Sequence, residues 1–285
     1  MILVLGSNGY VGSAFVKEIS SRRLDYICLS RREVDYANFD TLRWYLKDHR
    51  PSLVINAAGY TGKPNVDACE NHKEETFAAN VLLPLTISHA CAADDIPWAH
   101  ISSGCIYNGG GPFGEDDEPN FSFKHQPCSY YSGTKAMAEE LVRDCGGCYL
   151  WRLRMPFDEF DGPRNYLSKL QRYPRVYTAM NSISHRGDFV KACLDLWHLR
   201  APFGAYNITN TGAVSTREVV DMIRAAGLKQ EFEFFKDDAE FYRTALAPRS
   251  NCVLSVEKLL AAGVKIRPVQ EALRDAVKKW TVDTT

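Results

Sequence analysis

Three glycines, Gly6, Gly9 and Gly12, stand directly behind Ile2-Leu3-Val4-Leu5. No other feature of the chain constrains its fold as much. The apolar run reads as a short buried strand, and Ala14, Phe15, Val16 and Ile19 continue as one face of a helix. Glycines at a strand-to-helix turn are a dinucleotide fingerprint with a mechanism: Gly6 permits the tight turn, Gly9 lets a pyrophosphate approach the backbone, and Gly12 lets the helix pack on the strand. The first-turn amides of that helix hold the phosphates. Asn8, Tyr10 and Val11 are the other loop residues expected at the cofactor.

The rest of the first half supports an α/β fold with a doubly wound parallel sheet of Rossmann type, because short β-rich runs alternate with helical patterns. The predicted strands are "DYICLS", "SLVINAAG", "WAHISS" and "CYLWRLRM". Helices are predicted from Phe39 to His49, from Glu74 to Ala93 and from Tyr131 to about Asp144, with a long loop before Ser129. Beyond Pro156 the alternation becomes irregular. The expected division is a dinucleotide-binding domain over 1–155 and a smaller substrate-binding region over 156–285, with the chain returning to the first domain near 175–210. "GAYNITN" reads as a returning strand, and Ser215 with Glu218 has capping-box spacing ahead of a helix.

Bulk properties exclude several classes. A net charge of −1 over 285 residues gives no reason to expect nucleic acid or an anionic membrane as partner. No apolar run nears the roughly 18 residues needed to span a bilayer. The start, "MILVLG", reads as strand rather than signal peptide, and a cytoplasmic location is expected. Nine irregularly spaced cysteines form no disulfide framework. Cys145 and Cys148 have redox-motif spacing, but they sit at the end of a predicted helix, where a thiolate gains nothing, and no metal site is expected.

Active sites in such sheets gather at the carboxyl ends of the strands. Ser30, Arg31 and Arg32 follow the second strand, where an acidic residue would suit NAD; two guanidiniums suit the 2′-phosphate of NADP, and a solvated basic turn is the competing reading. Asp35 is placed at the adenine edge. The small residues Ala57 and Ala58 let a cofactor lie against the third strand's end. Tyr131 and Lys135 are four apart on a helix and share a face. A lysine ammonium beside a phenol lowers its pKa and makes Tyr131 a proton donor and acceptor near neutrality. Ser103, ending its strand, can bond the same carbonyl oxygen.

These residues resemble those of the extended short-chain dehydrogenase/reductases over nearly the whole chain. Within that group the sequence is similar to dTDP-4-dehydrorhamnose reductases and, more closely, to the nucleotide-rhamnose synthase/epimerase-reductases. The closer likeness rests on "NAAGYTGKPNVDACENHKEET", "GCIY", "EDDEPNF", "YSGTKAMAEELV", "RLRMP", "PRNYLSKLQRY", Asn181-Ser182 and "APRSN". The resemblance implies NADPH as reductant, a nucleotide-linked 4-keto-6-deoxyhexose as substrate, cofactor contacts that include Met155, and a homodimer. It also implies a 3,5-epimerase, with Cys105 and Lys169 as the acid–base pair. On residue type alone each has a second reading, core cysteine and solvated lysine. Lys63, Asn65, Arg164, Asn165 and Arg249 are assigned to the substrate, the arginines to its diphosphate; a tie between loops is the alternative for either arginine. His185 is a further acid–base candidate or a structural histidine. The chain departs from the closer relatives in "ISHRGDFV" and in a short Gly-rich loop from Tyr107 to Glu115, two places where substrate range would differ.

Overall fold

The computed structural model describes residues 1–282. Six parallel strands form the central sheet: β1 (Ile2–Leu5), β2 (Tyr26–Leu29), β3 (Leu53–Asn56), β4 (Trp98–Ser103), β6 (Cys148–Leu153) and β9 (Gly204–Asn207). Their spatial order is β2-β1-β3-β4-β6-β9, reversing direction outward from β1, as a doubly wound sheet does. The crossovers are α1 (Tyr10–Ser21), α2 (Phe39–His49), a short turn α3 (Ala68–Asn71), α4 (Lys73–Phe77), α5 (Leu83–Ala92) and α6 (Tyr130–Val142). Ala78–Leu82 joins α4 to α5 as a π-helical turn. The predicted helix over 74–93 is therefore one body with a bulge at Asn80, whose amide bonds both the N–H and the C=O of Tyr60. That bulge staples the loop after β3 beneath the sheet's carboxyl edge.

After β6 come α7 (Tyr166–Arg172), β7 (Arg175–Val176), β8 (Met180–Asn181) and α8 (Arg186–His198). Beyond β9 follow β10 (Val214–Ser215), α9 (Thr216–Ala225), β11 (Glu233–Phe234), α10 (Asp238–Tyr242), β12 (Cys252–Leu254), α11 (Glu257–Ala261) and α12 (Val269–Lys278). Residues α8 and β9 do return to the sheet, since β9 pairs with β6 and α8 packs on α1. Residues 175–181 do not: β7 pairs with β11 and β8 with β10. The α9 capping box of Ser215 and Glu218 is formed. In place of an unbroken loop before Ser129, β5 (Gly109–Phe113) pairs in parallel with β12. "GGGPF" carries no β-signal of its own; its partner, some 140 residues away, makes it a strand.

Each sheet face has its own core. Phe15, Trp151, Phe189 and Tyr206 fill the face covered by α1 and α8; Leu42, Leu46, Ile87 and Trp98 fill the other. Each such side chain contributes about 1.5–3 kcal/mol of burial. A third core, with Phe157, Leu167, Val219 and Leu273, gives the region beyond Pro156 a hydrophobic centre of its own. Among the described residues no helix is long and apolar enough to cross a membrane.

Candidate active site

The glycine loop is a cradle shaped by contacts that no side chain would survive. Gly6 has φ +74°, and a Cβ there would lie 2.6 Å from the Ala58 nitrogen. At Gly12 a Cβ would lie 2.1 Å from the Gly6 carbonyl oxygen. Gly9 caps α1 with no side-chain hydrogen bond, and the first turn holds no acid. The amides of Tyr10, Val11 and Gly12 are therefore free for an anion, as the first turn of a helix has no intrahelical acceptors for them. The residues present fit a dinucleotide's pyrophosphate. Asn8 is exposed beside them. Tyr10 does something else with its side chain: the Arg186 guanidinium lies 4.3 Å above its ring and donates to its carbonyl, which ties α1 to α8.

At the end of β2, Arg31 is exposed and close enough to the buried Tyr36 phenol to lower its pKa against the larger effect of burial. Glu33, passed over in the sequence, takes the Ser30 N–H at 3.0 Å and hydroxyl at 2.6 Å. Asp35 is exposed and bonds the Ala37 N–H, a local turn contact. Ala57 and Ala58 back the glycine loop. Met155 follows β6 with φ +39°, a conformation costing about 1–3 kcal/mol for a residue with a side chain.

Four elements converge at the carboxyl edge. β4 ends at Ser103, whose hydroxyl accepts the Cys105 N–H at 3.2 Å and opens a single 3-10 turn, Gly104–Ile106. A side chain at Gly104 would strike Leu254, so the glycine lets β12 close over the turn. The start of α6 is fixed twice, by the Ser129 cap on Ser132 and by the Glu70 carboxylate on the Tyr130 N–H at 2.7 Å. Tyr131 thereby lies in the first turn of α6, which packs on the 3-10 turn that carries Cys105 behind Ser103. Burial pushes the Tyr131 phenol up, with Cys105 adding to the rise; Ser103 and Arg164 oppose it. Lys135 is not among the groups that shift Tyr131 most. Lys135 is buried and points to the His100 Nε2 at 3.0 Å and the Ile101 carbonyl at 2.8 Å. Burial lowers Lys135 to about 8.

Burial raises the Cys105 thiol, so it rests protonated. Lys169, on α7, is shifted the opposite way by burial and by the Arg164 guanidinium, and its ammonium has no acceptor among the described residues. Lys63 is exposed in the loop after β3. Four of the residues expected at the substrate have partners within the fold. Asn165 is fully buried and caps α7, its amide donating to Asp158 and Phe160 while its oxygen accepts the Leu167 N–H; it has nothing left for a ligand. The Asn65 oxygen is taken by the Asp67 N–H at 2.8 Å. Arg249 makes a two-pronged pair with Asp67 at 2.5 and 2.6 Å, and Arg164 bonds Thr61 and the Gly62 carbonyl at 2.8 and 2.6 Å. Both arginines therefore tie loops together. His185 is structural as well, capping α8 between Glu159 and Asp188.

Two groups were missed. Arg154 is buried, bonds Asn181 and Ser250, and bears electrostatically on Cys105. His100 is buried behind Lys135. An arginine in the apolar run "CYLWRLRM" was the available signal for the first; nothing in "WAHISS" singled out the second.

Residues 1–282 match the RmlD substrate binding domain family. A bifunctional dTDP-4-dehydrorhamnose 3,5-epimerase/dTDP-4-dehydrorhamnose reductase of Arabidopsis thaliana is 33% identical over 281 residues, 95% of this chain and 90% of that protein. A trifunctional UDP-glucose 4,6-dehydratase/UDP-4-keto-6-deoxy-D-glucose 3,5-epimerase/UDP-4-keto-L-rhamnose-reductase of the same plant is 32% identical over 99% of this chain, which spans 42% of that protein's length. Among solved structures, the UDP-rhamnose synthase of Acanthamoeba polyphaga mimivirus shares the fold with a TM-score of 0.88, 23% identity and 98% coverage of both chains. The chain belongs to the RmlD substrate binding domain family.

Proposed function

We propose that this protein is a nicotinamide-dependent 4-ketoreductase and 3,5-epimerase acting on a nucleotide-linked 4-keto-6-deoxyhexose, giving a 6-deoxyhexose such as rhamnose. The observation that carries the reading is the packing of α6, whose second residue is Tyr131, on the 3-10 turn that bears Cys105 directly after Ser103 at the carboxyl end of β4. NADPH, when bound, supplies the hydride for C4; Arg31 at the end of β2 favours it over NADH. Tyr131 rests protonated in its buried setting and donates to the C4 oxygen, while Ser103 holds that oxygen in place. Lys135, one helical turn after Tyr131, is assigned to the nicotinamide ribose.

The same grip on the C4 oxygen acidifies C3 and C5, because the enolate's charge spreads onto that oxygen. Inversion then needs a base on one face of the ring and an acid on the other. The opposite shifts of the two groups favour one order of roles. Lys169, lowered toward its uncharged amine, takes the proton; Cys105, raised toward its thiol, returns one. Of the loop residues, Lys63 is the free cation for the diphosphate, and Arg164 and Arg249 shape the cleft through their partners.

The test is solvent deuterium entering C3 and C5 of UDP- and dTDP-4-keto-6-deoxyglucose without NADPH, followed by product analysis with it. Exchange and reduction are both expected. Tyr131→Phe should lower reduction by about 10²–10⁴-fold; Lys169→Met should abolish exchange, and Cys105→Ser should abolish inversion while Lys169 still exchanges the proton on its own face. Reduction without exchange would remove the epimerase and leave a reductase; an undiminished Tyr131→Phe enzyme would remove both.

A further inference from the structure

Arg152 and Arg154 stand two residues apart at the end of β6, both buried, and they are neutralised differently. Arg152 grips the Glu139 carboxylate at 2.7 Å. Arg154 makes no ion pair among the described residues. Its guanidinium donates to neutral acceptors alone: the Ser250 hydroxyl at 3.1 Å, the Ser250 carbonyl at 2.8 Å and the Asn181 side-chain oxygen. Its Nε is buried without an acceptor. A guanidinium keeps its charge when buried, and a buried charge with no counter-charge is costly. That cost is offset where an anion forms beside it. The neighbour able to become one is Cys105. The Arg154 stem runs along the turn that carries this cysteine, since a Cβ on Gly104 would lie 3.4 Å from the Arg154 Cδ. Cys252 fixes the same turn by donating its Sγ–H to the Gly104 carbonyl at 3.3 Å.

We propose that Arg154 is a positioning residue for Cys105: its buried guanidinium, held only by neutral acceptors, is the counter-charge of the thiolate that Cys105 becomes when it protonates the enolate. The inference rests on the epimerase reading above. In that step Lys169 removes the C–H proton on one face and the electron pair passes to the C4 oxygen. On the other face the S–H bond of Cys105 breaks, its proton forms the new C–H bond as the C4 carbonyl returns, and the sulfur keeps the electron pair. The groups that act on that sulfur come from several elements. The hydroxyls of Ser103 on β4 and Ser132 on α6, Arg154 after β6 and Lys135 on α6 all favour the thiolate, while burial opposes them and prevails at rest. Cys69, Cys128, Tyr131 and Cys252 interact with it as well, and burial keeps each of them neutral. Of the two cations, Lys135 is already acted on by Glu139. Arg154 has no carboxylate partner, so its charge is left for the sulfur.

Cys105 is half-buried and free, so its thiolate can be read without any substrate. The rate of iodoacetamide alkylation of Cys105 against pH, followed on its peptide by mass spectrometry in the full chain, gives the inflection of this one thiol. In Arg154→Met the inflection should rise by about 1 unit or more, and in Arg154→Lys, which restores a cation, it should stay near that of the parent. An unchanged inflection in folded Arg154→Met overturns the proposal. If that variant does not fold, Asn181→Asp sets a carboxylate against the guanidinium at nearly constant volume; it should raise the inflection too, and no rise overturns the proposal. In turnover, Arg154→Met should slow inversion by up to about tenfold. Proton exchange by Lys169, and reduction of a substrate already inverted at C3 and C5, should fall by less. Equal losses in all three would make Arg154 a support of the fold and overturn the proposal. If the parent neither exchanges nor inverts, the epimerase reading fails, while the alkylation profiles still decide whether Arg154 governs the charge of Cys105.

Discussion

The glycine cradle and the substrate cleft face the same sheet edge but are built from different material. The cradle is backbone against backbone: Gly6 against Ala58, Gly12 against Gly6. The cleft is side-chain charge held by side-chain charge and carbonyls: Arg249 on Asp67, Arg164 on Gly62, Arg154 on Asn181 and Ser250. Backbone geometry of this kind is written locally, because only glycine fits, and it is read from three residues. A charge says nothing about which distant group will neutralise it. The cradle should therefore break through volume, and the cleft through unpaired charge in proportion to burial.

The largest effect is expected at the deepest pair. Arg152 is fully buried and grips Glu139, itself buried, at 2.7 Å, with the Ser102 hydroxyl on the same carboxylate. Arg152→Met leaves that carboxylate uncompensated and should cost about 3–5 kcal/mol in urea unfolding. A loss below about 1 kcal/mol would show that burial does not grade these pairs. Next comes Gly12→Ala. The added methyl meets the Gly6 carbonyl at 2.1 Å, and neither strand nor helix can yield cheaply. Overpacking of about 1–3 kcal/mol is expected, together with at least a tenfold loss of NADPH affinity by calorimetry. Unchanged affinity would mean that the loop is not the cofactor's cradle.

The shallower pair tests the other end of the scale. Arg249 and Asp67 are each about one-quarter exposed, so their coupling should be on the order of 1 kcal/mol in a double-mutant cycle. Arg249→Ala and Asp67→Ala should raise the substrate KM by similar factors, and the double variant should be no worse than either. If Arg249→Ala alone raised KM a hundredfold while Asp67→Ala did nothing, the arginine would be touching substrate and not holding a loop.

The same contrast explains what could be read in advance. The sheet, its order of elements, the glycine turn and the Ser215 cap follow from periodicity and from glycine, both local signals. β5 escaped because "GGGPF" is a strand only through β12. Asn165 was misassigned for a related reason: an asparagine before "YLSK" looks free, yet an N-cap consumes its oxygen and three nearby acceptors consume its amide. The Lys135–Tyr131 coupling was inferred from helical spacing, which places two residues on one face but does not say where a flexible ammonium ends. His100, one strand away, decides that.

The smallest effect is expected where the two regions join. His185 caps α8 between Glu159 and Asp188, and the Arg186 N–H bonds the Phe157 carbonyl at 2.7 Å. Burial would lower His185, but Asp188 and Glu159 overcome it and raise the imidazole. Its contribution is therefore complete below the ordinary histidine range and is lost as pH rises through the raised value. Glu159 is lowered from 4.5 to about 2, chiefly by His185. Burial pushes Asp188 up, yet His185, Arg267 and Asn210 bring it from 3.8 to about 2. The two carboxylates contribute fully above their ordinary values and lose that contribution as pH falls toward 2. The junction should be tightest between these limits, near pH 5 to 6, where the imidazolium and both carboxylates coexist and the ring exchanges its Nδ1 cap on the Asp188 N–H for ion pairs with Glu159 and Asp188. His185→Gln should then be less stable than the parent by about 1 kcal/mol or less near pH 5.5 and converge with it above about pH 8. Hydrogen exchange at the Arg186 amide reads this locally. Parallel protection curves from pH 5 to 9 would mean that the ring acts only as a cap and carries no charge in the folded protein.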